Sequence, residues 1–306
     1  MDILFNNTFK NINVNFYFKD DEKFINYTDT NLYYNNKIIN NKSIKLYQRM
    51  SLFKKILISK NERCLLKSAS LINKKQYKKA LVILNKYNEK GNFLTDIYAL
   101  IFITHPDLDT KKELLEKIIY NLDSLGNFFH KYNIRINFSH AIDDNIYLNI
   151  NDKDNDFILF LVLFLKKIDK SKKALDLLLT IEENRYPLYT LLLGELYLET
   201  ENYANSIITL QNIDSNEVIC IYSLLLLGRA FRKEGLLKSS IAILRKTRRR
   251  SNRLPIYFNL EGRYQLALSL EEYNKYYLAK KEYEKILTIN YNYKDTRKRL
   301  NDIKNI

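Results

Sequence analysis

The chain has few of the residues that interrupt regular structure. Of its 306 residues, only six are glycine and three are proline. Both residue types are common at tight turns and helix ends, and a sheet of many short strands needs them often. Their scarcity excludes a many-stranded β-protein and favours long helices with short connections. The sequence therefore predicts an all-α fold.

Cysteine is also scarce. The two cysteines, Cys64 and Cys220, lie far apart and form no C-x-x-C pair. This excludes a disulfide framework and a cysteine-rich zinc site. Both residues fall within apolar helical patterns, so we expect small packed thiols in a reducing compartment.

Targeting and membrane-spanning segments are not seen. The first residues, MDILFNNTFKNINVNF, lack the apolar core and the cleavage site of a signal peptide. The most apolar run, FILFLVLFL at 157–165, has about half the length that a bilayer-spanning helix needs. We expect this run to be a buried helix, and the protein to be cytoplasmic with no membrane span.

Motifs for catalysis are missing as well. The sequence has no glycine-rich phosphate loop, no G-x-S-x-G turn and no H-E-x-x-H metal pair. Its three histidines are scattered without ligand spacing. The sequence predicts a protein that is not an enzyme, with no catalytic residues, no cofactor and no metal.

The chain does contain an internal repeat. Residues 186–213, YPLYTLLLGELYLETENYANSIITLQNI, align with residues 220–247, CIYSLLLLGRAFRKEGLLKSSIAILRKT, at a spacing of 34 residues. The matches include two pairs of small residues, Gly194/Gly228 and Ser206/Ser240. Small residues at these places allow two helices to approach closely, and apolar residues at helical spacing give each hairpin a face that it cannot bury alone. Stacking such hairpins forms a solenoid.

This order of residues resembles the tetratricopeptide repeat (TPR) family, whose units are helix–turn–helix hairpins of about 34 residues. Residues 264–292, YQLALSLEEYNKYYLAKKEYEKILTINYN, fit the family pattern best, and depart from it at Tyr291, where proline is common. The resemblance implies an all-α, right-handed α-solenoid of TPR-like helix hairpins. An irregular N-terminal segment precedes it.

The predicted organisation has five parts. They are an irregular or extended N-terminal segment at 1–46, a helical TPR-like region at 47–125, an insertion at 126–154, the TPR array at 155–292 and a capping helix at 293–306. The N-terminal segment contains short alternating stretches such as INVNFYFK between Asn-rich turns. We expect it to be extended or partly disordered, and either this segment or the insertion could dock on the array and cover part of its groove.

The resemblance also implies a binding groove, because the first helix of each TPR hairpin lines the concave face of the array. The predicted groove residues are Leu188, Leu191, Glu195, Tyr222, Leu225, Arg229, Arg232, Lys233, Tyr264 and Leu268. Along the array this face changes from acidic to basic and back to acidic, with apolar residues between, and Glu261, Glu271 and Glu272 form the second acidic part. We interpret the chain as a TPR adaptor or scaffold whose groove binds a helix or extended segment of a partner protein or peptide.

Charge is unevenly distributed along the array. Residues 187–220 carry five acidic and no basic side chains, whereas residues 221–306 carry 20 basic and 8 acidic ones. The run RKTRRRSNR forms a predicted basic patch of Arg245, Lys246, Arg248, Arg249, Arg250 and Arg253. Three interpretations stay open: a solvated helix end, a docking site for an acidic protein surface, or a nucleic-acid contact. The alternative function is therefore nucleic-acid binding by a helical-repeat protein through its basic C-terminal region.

Overall fold

A computed structural model gives the fold of the chain. The described residues are 13–18, 64–65, 67–68, 71–72, 76–85, 94–104, 107–127, 134–141, 147–150, 154–181, 187–213, 217–250 and 256–304. The chain divides into two compact units, Met1–Lys167 and Ile168–Ile306. The division lies inside the predicted array of residues 155–292.

The first unit contains helices, two of which pack together through aromatic rings. The helices with defined bounds in its described residues are α1 (Tyr77–Asn85), α2 (Leu94–Thr104), α3 (Leu108–Tyr120) and α4 (Asp154–Lys167). The Phe102 ring of α2 lies 4.8 Å from the Phe164 ring of α4 and 5.7 Å from the Phe160 ring, measured between centroids. The apolar run 157–165 lies within α4 and is buried, as its composition predicts.

The first unit also contains a three-stranded antiparallel sheet. Strands β1 (Asn13–Phe18), β2 (Ile134–Ala141) and β3 (Tyr147–Ile150) lie in the order β1-β2-β3. β1 comes from the predicted extended segment, and β2 and β3 come from the predicted insertion, so the two segments pair with each other. The register places Val14 opposite Phe138 and Phe16 opposite Ile136.

The second unit is a row of helical hairpins. Its helices are α5 (Ser171–Leu178), α6 (Pro187–Glu199), α7 (Tyr203–Gln211), α8 (Glu217–Lys233), α9 (Leu237–Arg250), α10 (Ile256–Glu272), α11 (Tyr276–Ile289) and α12 (Thr296–Lys304). Consecutive helices from α5 to α12 pack against each other, and α8 also packs against α6 and α10. The hairpins α6/α7, α8/α9 and α10/α11 carry the aligned repeats, and α12 lies in the predicted capping segment.

The turns inside these three hairpins share one backbone geometry. Glu201, Gly235 and Asn274 have φ angles of 64°, 81° and 57°, in the left-handed region. The next residue donates its N–H to a carbonyl five residues earlier, as Asn202 does to Tyr197 at 2.8 Å. This is the Schellman arrangement, in which a left-handed residue ends a helix and satisfies its last carbonyls. It starts the second helix of each hairpin at an equivalent position of the repeat.

In the hairpins α6/α7 and α8/α9, the two helices of each hairpin approach each other closely. A Cβ atom built on Gly194 would lie 2.5 Å from the Leu210 side chain, and one built on Gly228 would lie 2.5 Å from the Leu244 side chain. In both hairpins the matched serine donates its hydroxyl to the carbonyl oxygen of that glycine at 2.7 Å. The 34-residue alignment therefore marks a packing contact that is built twice.

The α-solenoid of TPR-like hairpins predicted from the sequence is confirmed. The sheet is the part of the fold that an all-α prediction does not include. Its strands alternate apolar and polar residues, which is the period of a half-buried strand. The alternation is visible in the sequence, but the pairing of residues 13–18 with residues 134–141 is non-local.

Candidate protein-interaction surface

Most of the predicted groove residues lie inside the helix packing. Six of them, Leu191, Glu195, Tyr222, Leu225, Tyr264 and Leu268, are at most 7% exposed. The expectation that these side chains line an open groove is corrected: a partner has almost no access to them. They hold the hairpins together.

The physical reason is the central position of α8 and α10 in the row. Helix α8 packs against α6, α7, α9 and α10, so its side chains meet protein on several faces. The Tyr222 ring of α8 contacts the Phe258 ring of α10 edge-on, with centroids 4.6 Å apart. An apolar stripe on the first helix of a hairpin is therefore used for stacking.

Four predicted groove residues keep an accessible surface. Leu188, Arg229 and Arg232 are half-buried, and Lys233 is exposed. Arg232 is held by a salt bridge to Glu272 at 2.6 Å. Leu188, Arg229 and Lys233 are therefore the predicted groove positions that a partner could contact without displacing that salt bridge.

Glu261, in the first half of α10, is neutralised by the segment that leads into α12. The Glu261 carboxylate is paired with the Lys294 ammonium and accepts hydrogen bonds from the Tyr293 hydroxyl at 2.7 Å and the Gln265 amide at 2.8 Å. Burial raises the pKa of Glu261, but the charge and hydrogen bond of Lys294, with the bonds from Tyr293 and Gln265, bring that pKa below its ordinary value. Glu261 is thus an ionised structural group.

A second polar cluster joins α10, α11 and α12. The Tyr264 hydroxyl bonds to the Asp295 carboxylate, and the Tyr283 hydroxyl donates to Glu271 at 2.7 Å. Arg299 of α12 also pairs with Glu271, at 3.2 Å. Burial, then the Asp295 carboxylate, raise the pKa of Tyr264 to about 12. The chain's own C-terminal segment therefore contacts the side chains of Glu261, Tyr264 and Glu271 of α10.

The sequence predicts a helix at 293–306 but not these contacts. Lys294, Asp295 and Arg299 are ordinary members of a charged terminal helix in the sequence, which is typical of a solvated cap. A signal was nevertheless present, because α10 carries acidic side chains at the spacing of one helix face. Glu261 and Glu271 meet cations of the following segment in the structure.

The predicted basic patch lies where the sequence places it, at the end of α9. Its members divide into two kinds. Arg248 is half-buried and forms a salt bridge with Glu282 of α11 at 2.5 Å, and Arg263 of α10 pairs with the same carboxylate at 2.7 Å. Arg248 is therefore part of the hairpin packing, and is no longer interpreted as a member of an exposed edge.

The remaining cations of α9 are exposed on its outer face. We call Lys238, Arg245, Lys246, Arg249 and Arg250 the basic stripe. Among the described residues, Lys238, Arg245, Lys246 and Arg249 form no ion pair. Arg250 donates to the Cys220 sulfur at 3.4 Å. Arg253, the last residue of the predicted patch, lies outside the described residues.

Two further properties bear on function. Within the described ranges, no group of three or more His, Cys, Asp or Glu side chains could hold a metal ion. No helix in those ranges is both long enough and apolar enough to cross a membrane.

No family model matches the chain. No curated protein matches it either. Among solved structures, the chain is similar to the N-terminal domain of the EccA1 ATPase from the ESX-1 secretion system of Mycobacterium tuberculosis, with a TM-score of 0.52 and 10% identity over 79% of this chain and 88% of that chain. It also matches the APC/C hetero-tetramer Cut9-Hcn1, with a TM-score of 0.44 and 15% identity over 85% of this chain and 46% of that chain. Both neighbours are TPR-like helical-repeat proteins.

Proposed function

We propose that the chain is a non-enzymatic scaffold or adaptor that binds a partner protein through its helical array. The observation that carries the proposal is the row of hairpins α6/α7, α8/α9 and α10/α11, whose first helices lie next to each other. A row of this kind presents a continuous surface that is wider than any one hairpin, which is how helical repeats bind proteins.

The accessible residues of the first helices give this surface its chemistry. Leu188 is an apolar contact at the start of α6, while Arg229 and Lys233 add positive charge along the last two turns of α8. An extended or helical segment with an apolar anchor and acidic residues fits this pattern. The proposal places the scaffold in the cytoplasm, where the free cysteines Cys64 and Cys220 would stay reduced.

The test is affinity capture from native lysate by the full chain, with and without nuclease, read by mass spectrometry. We expect at least one partner protein that resists nuclease treatment. The double substitution Arg229→Glu/Lys233→Glu should weaken the binding of that partner by about a hundredfold or more, because like charges placed across an interface cost several kcal/mol.

The matched control is Lys281→Glu/Lys285→Glu, which changes the net charge equally on exposed positions of α11. It should leave the partner bound. Loss of every partner on nuclease treatment would contradict the proposal, and would favour the alternative of nucleic-acid binding.

A further inference from the structure

The outer face of α9 differs from the surface just described, because none of its exposed cations forms an ion pair with another described residue, and only Arg250 has a contact, with the Cys220 sulfur. Several half-buried cations of the array have carboxylate partners. Arg248 and Arg263 share Glu282, Arg232 has Glu272, and Lys294 has Glu261. The basic stripe is left out of these pairs in the part of the chain that the structure describes. Helix α9 has no acidic residue of its own to compensate the stripe.

Helix stability does not account for the stripe. Cations near the end of a helix interact favourably with its dipole, at about 0.3–1 kcal/mol each. Like charges three and four residues apart repel by similar amounts. Arg245, Arg249 and Lys246, Arg250 are such pairs, so crowding cancels much of the gain.

The positions of the stripe follow one helix face. Lys238, Ala242, Arg245 and Arg249 are spaced by four, three and four residues, and all four are exposed. At a rise of 1.5 Å per residue, the stripe from Lys238 to Arg250 extends for about 18 Å. The small side chain of Ala242 lies between the cations and leaves room for a second backbone to come close.

We infer that the basic stripe is a docking site for an acidic helix of a partner protein, which lies along the outside of α9. A second helix placed alongside α9 has the same rise per residue, so carboxylates at its positions i, i+3 or i+4, and i+7 would face the stripe. Arginine pairs with a carboxylate through two parallel N–H groups. These pairs would fix the orientation of the partner helix on α9 as well as attract it. This inference rests on the proposed scaffold function, and names one surface and the chemistry of its partner.

A protein helix fits the stripe better than a nucleic acid does. Single-stranded nucleic acids are held by basic grooves combined with aromatic side chains on which the bases stack. α9, with the sequence LKSSIAILRKTRRR, has no aromatic residue. Tyr277, an exposed aromatic residue of the following hairpin, has the Lys281 ammonium 4.3 Å from its ring centroid, so one face of the ring is occupied by a side chain of its own helix. The stripe offers charge at helical spacing without a stacking platform.

The test uses two labelled peptides of about twenty residues, which is long enough to span the stripe. The aligned peptide carries Glu at i, i+3/i+4 and i+7 on an alanine-rich helix. The scrambled peptide has the same composition, with its Glu residues spread around the helix. Binding of each peptide to the full chain is measured by fluorescence anisotropy at about 0.15 M salt. At this salt concentration the Debye length is about 8 Å, so long-range electrostatic attraction is screened. We expect the aligned peptide to bind about tenfold more tightly than the scrambled one.

Variants locate the binding. Arg245→Glu/Arg249→Glu should weaken the binding of the aligned peptide by about tenfold or more, because it places glutamates of the stripe opposite the glutamates of the peptide. Lys281→Glu/Lys285→Glu, with the same change in net charge, should weaken it by less than about twofold. Equal losses in both variants, equal binding of the two peptides, or no binding of the aligned peptide would overturn the inference.

Two additional outcomes separate this inference from the proposed function and from nucleic-acid binding. If the nuclease-resistant partner from lysate binds Arg245→Glu/Arg249→Glu as well as it binds the unaltered chain, the scaffold function stands and the stripe assignment fails. If single-stranded RNA of equal charge binds more tightly than the aligned peptide, and the stripe variant abolishes that binding, nucleic acid is the occupant and the inference is overturned.

Discussion

The hairpins α8/α9 and α10/α11 follow the same repeat pattern but are held together in different ways. In α8/α9, Gly228 contacts Leu244 directly, and Ser240 donates a hydrogen bond to the Gly228 carbonyl. In α10/α11, the equivalent small positions are Ala267 and Ala279, and the Leu244 position is taken by Tyr283. The first hairpin relies on close backbone approach, whereas the second has larger groups at the same places.

The larger groups of α10/α11 bring polar atoms into the packing, and each of these atoms needs a partner. Tyr283 donates to Glu271, and Glu282 holds Arg248 and Arg263. Buried charge of this kind is costly unless it is paired. One repeat frame can therefore be stabilised by close packing in one hairpin and by ion pairs in the next.

The largest expected effect comes from removing the carboxylate that joins α9, α10 and α11. Glu282→Ala leaves Arg248 and Arg263, which are 30% and 17% exposed, without their shared partner. We expect a loss of about 3 kcal/mol in the free energy of unfolding, at the low end for a broken buried pair because both arginines retain some water. Urea unfolding followed by circular dichroism measures this loss.

The matched control is Glu284→Ala, two residues away on the exposed side of α11. It removes the same charge from the same helix and should change the free energy of unfolding by less than about 0.5 kcal/mol. Similar losses for the two variants would mean that net charge, and not the contact with the arginines, stabilises this hairpin.

The sequence predicts the two kinds of hairpin unequally well. The Gly228/Ser240 contact repeats Gly194/Ser206 at 34 residues, so a repeat comparison finds it. Glu282 has no such marker, since it lies among Lys281, Glu284 and Lys285 in a run that is typical of a solvated helix face. Its role depends on which helix packs beside it, and that is decided in three dimensions.

The same limit explains the groove prediction. The apolar stripe on the first helix of each hairpin is correctly identified as a contact face. However, the sequence does not tell whether a neighbouring helix or a partner covers it. Leu191 and Leu225 are 0% exposed because the adjacent hairpins fill that role. The exposure of Arg245 and Arg249 at the end of α9 could be predicted from the sequence, because no neighbouring helix packs against these two side chains.

Matched glycines in the two hairpins test whether close approach holds α8 to α9. Gly228→Ala places a Cβ atom 2.5 Å from the Leu244 Cγ atom, so Leu244 must move. Overpacking of this kind lowers the free energy of unfolding by about 1–3 kcal/mol. The higher helix propensity of alanine offsets up to about 1 kcal/mol of that loss. We expect a net loss of about 1–2 kcal/mol in the free energy of unfolding, measured by urea unfolding.

Gly262→Ala in α10 is the control. Its Cβ would meet only the Leu225 and Thr247 side chains, at 3.8 and 3.9 Å, which are ordinary contacts. The change should stabilise the chain by about 0.5–1 kcal/mol through helix preference alone. If Gly228→Ala stabilised the chain as well, close approach would not be what holds α8 to α9.

The smallest expected effect concerns the turn, which both kinds of hairpin share. Glu201 has a φ angle of 64°, although Gly235 occupies the equivalent position 34 residues later. The left-handed conformation costs a side-chain-bearing residue about 1–2 kcal/mol, and the greater freedom of glycine in the unfolded chain offsets part of that. Glu201→Gly should therefore stabilise the chain by about 0.5–1 kcal/mol, measured as a rise in the midpoint of thermal unfolding.

The reverse substitution isolates the backbone contribution. A Cβ at Gly235 has no atom within 4 Å, so Gly235→Ala changes the turn without any steric contact. It should destabilise the chain by about 1 kcal/mol, because alanine is strained at a φ angle of 81°. If both substitutions left the midpoint unchanged, the Schellman turn would adapt to any residue, and the repeat frame would be maintained by the helix contacts alone.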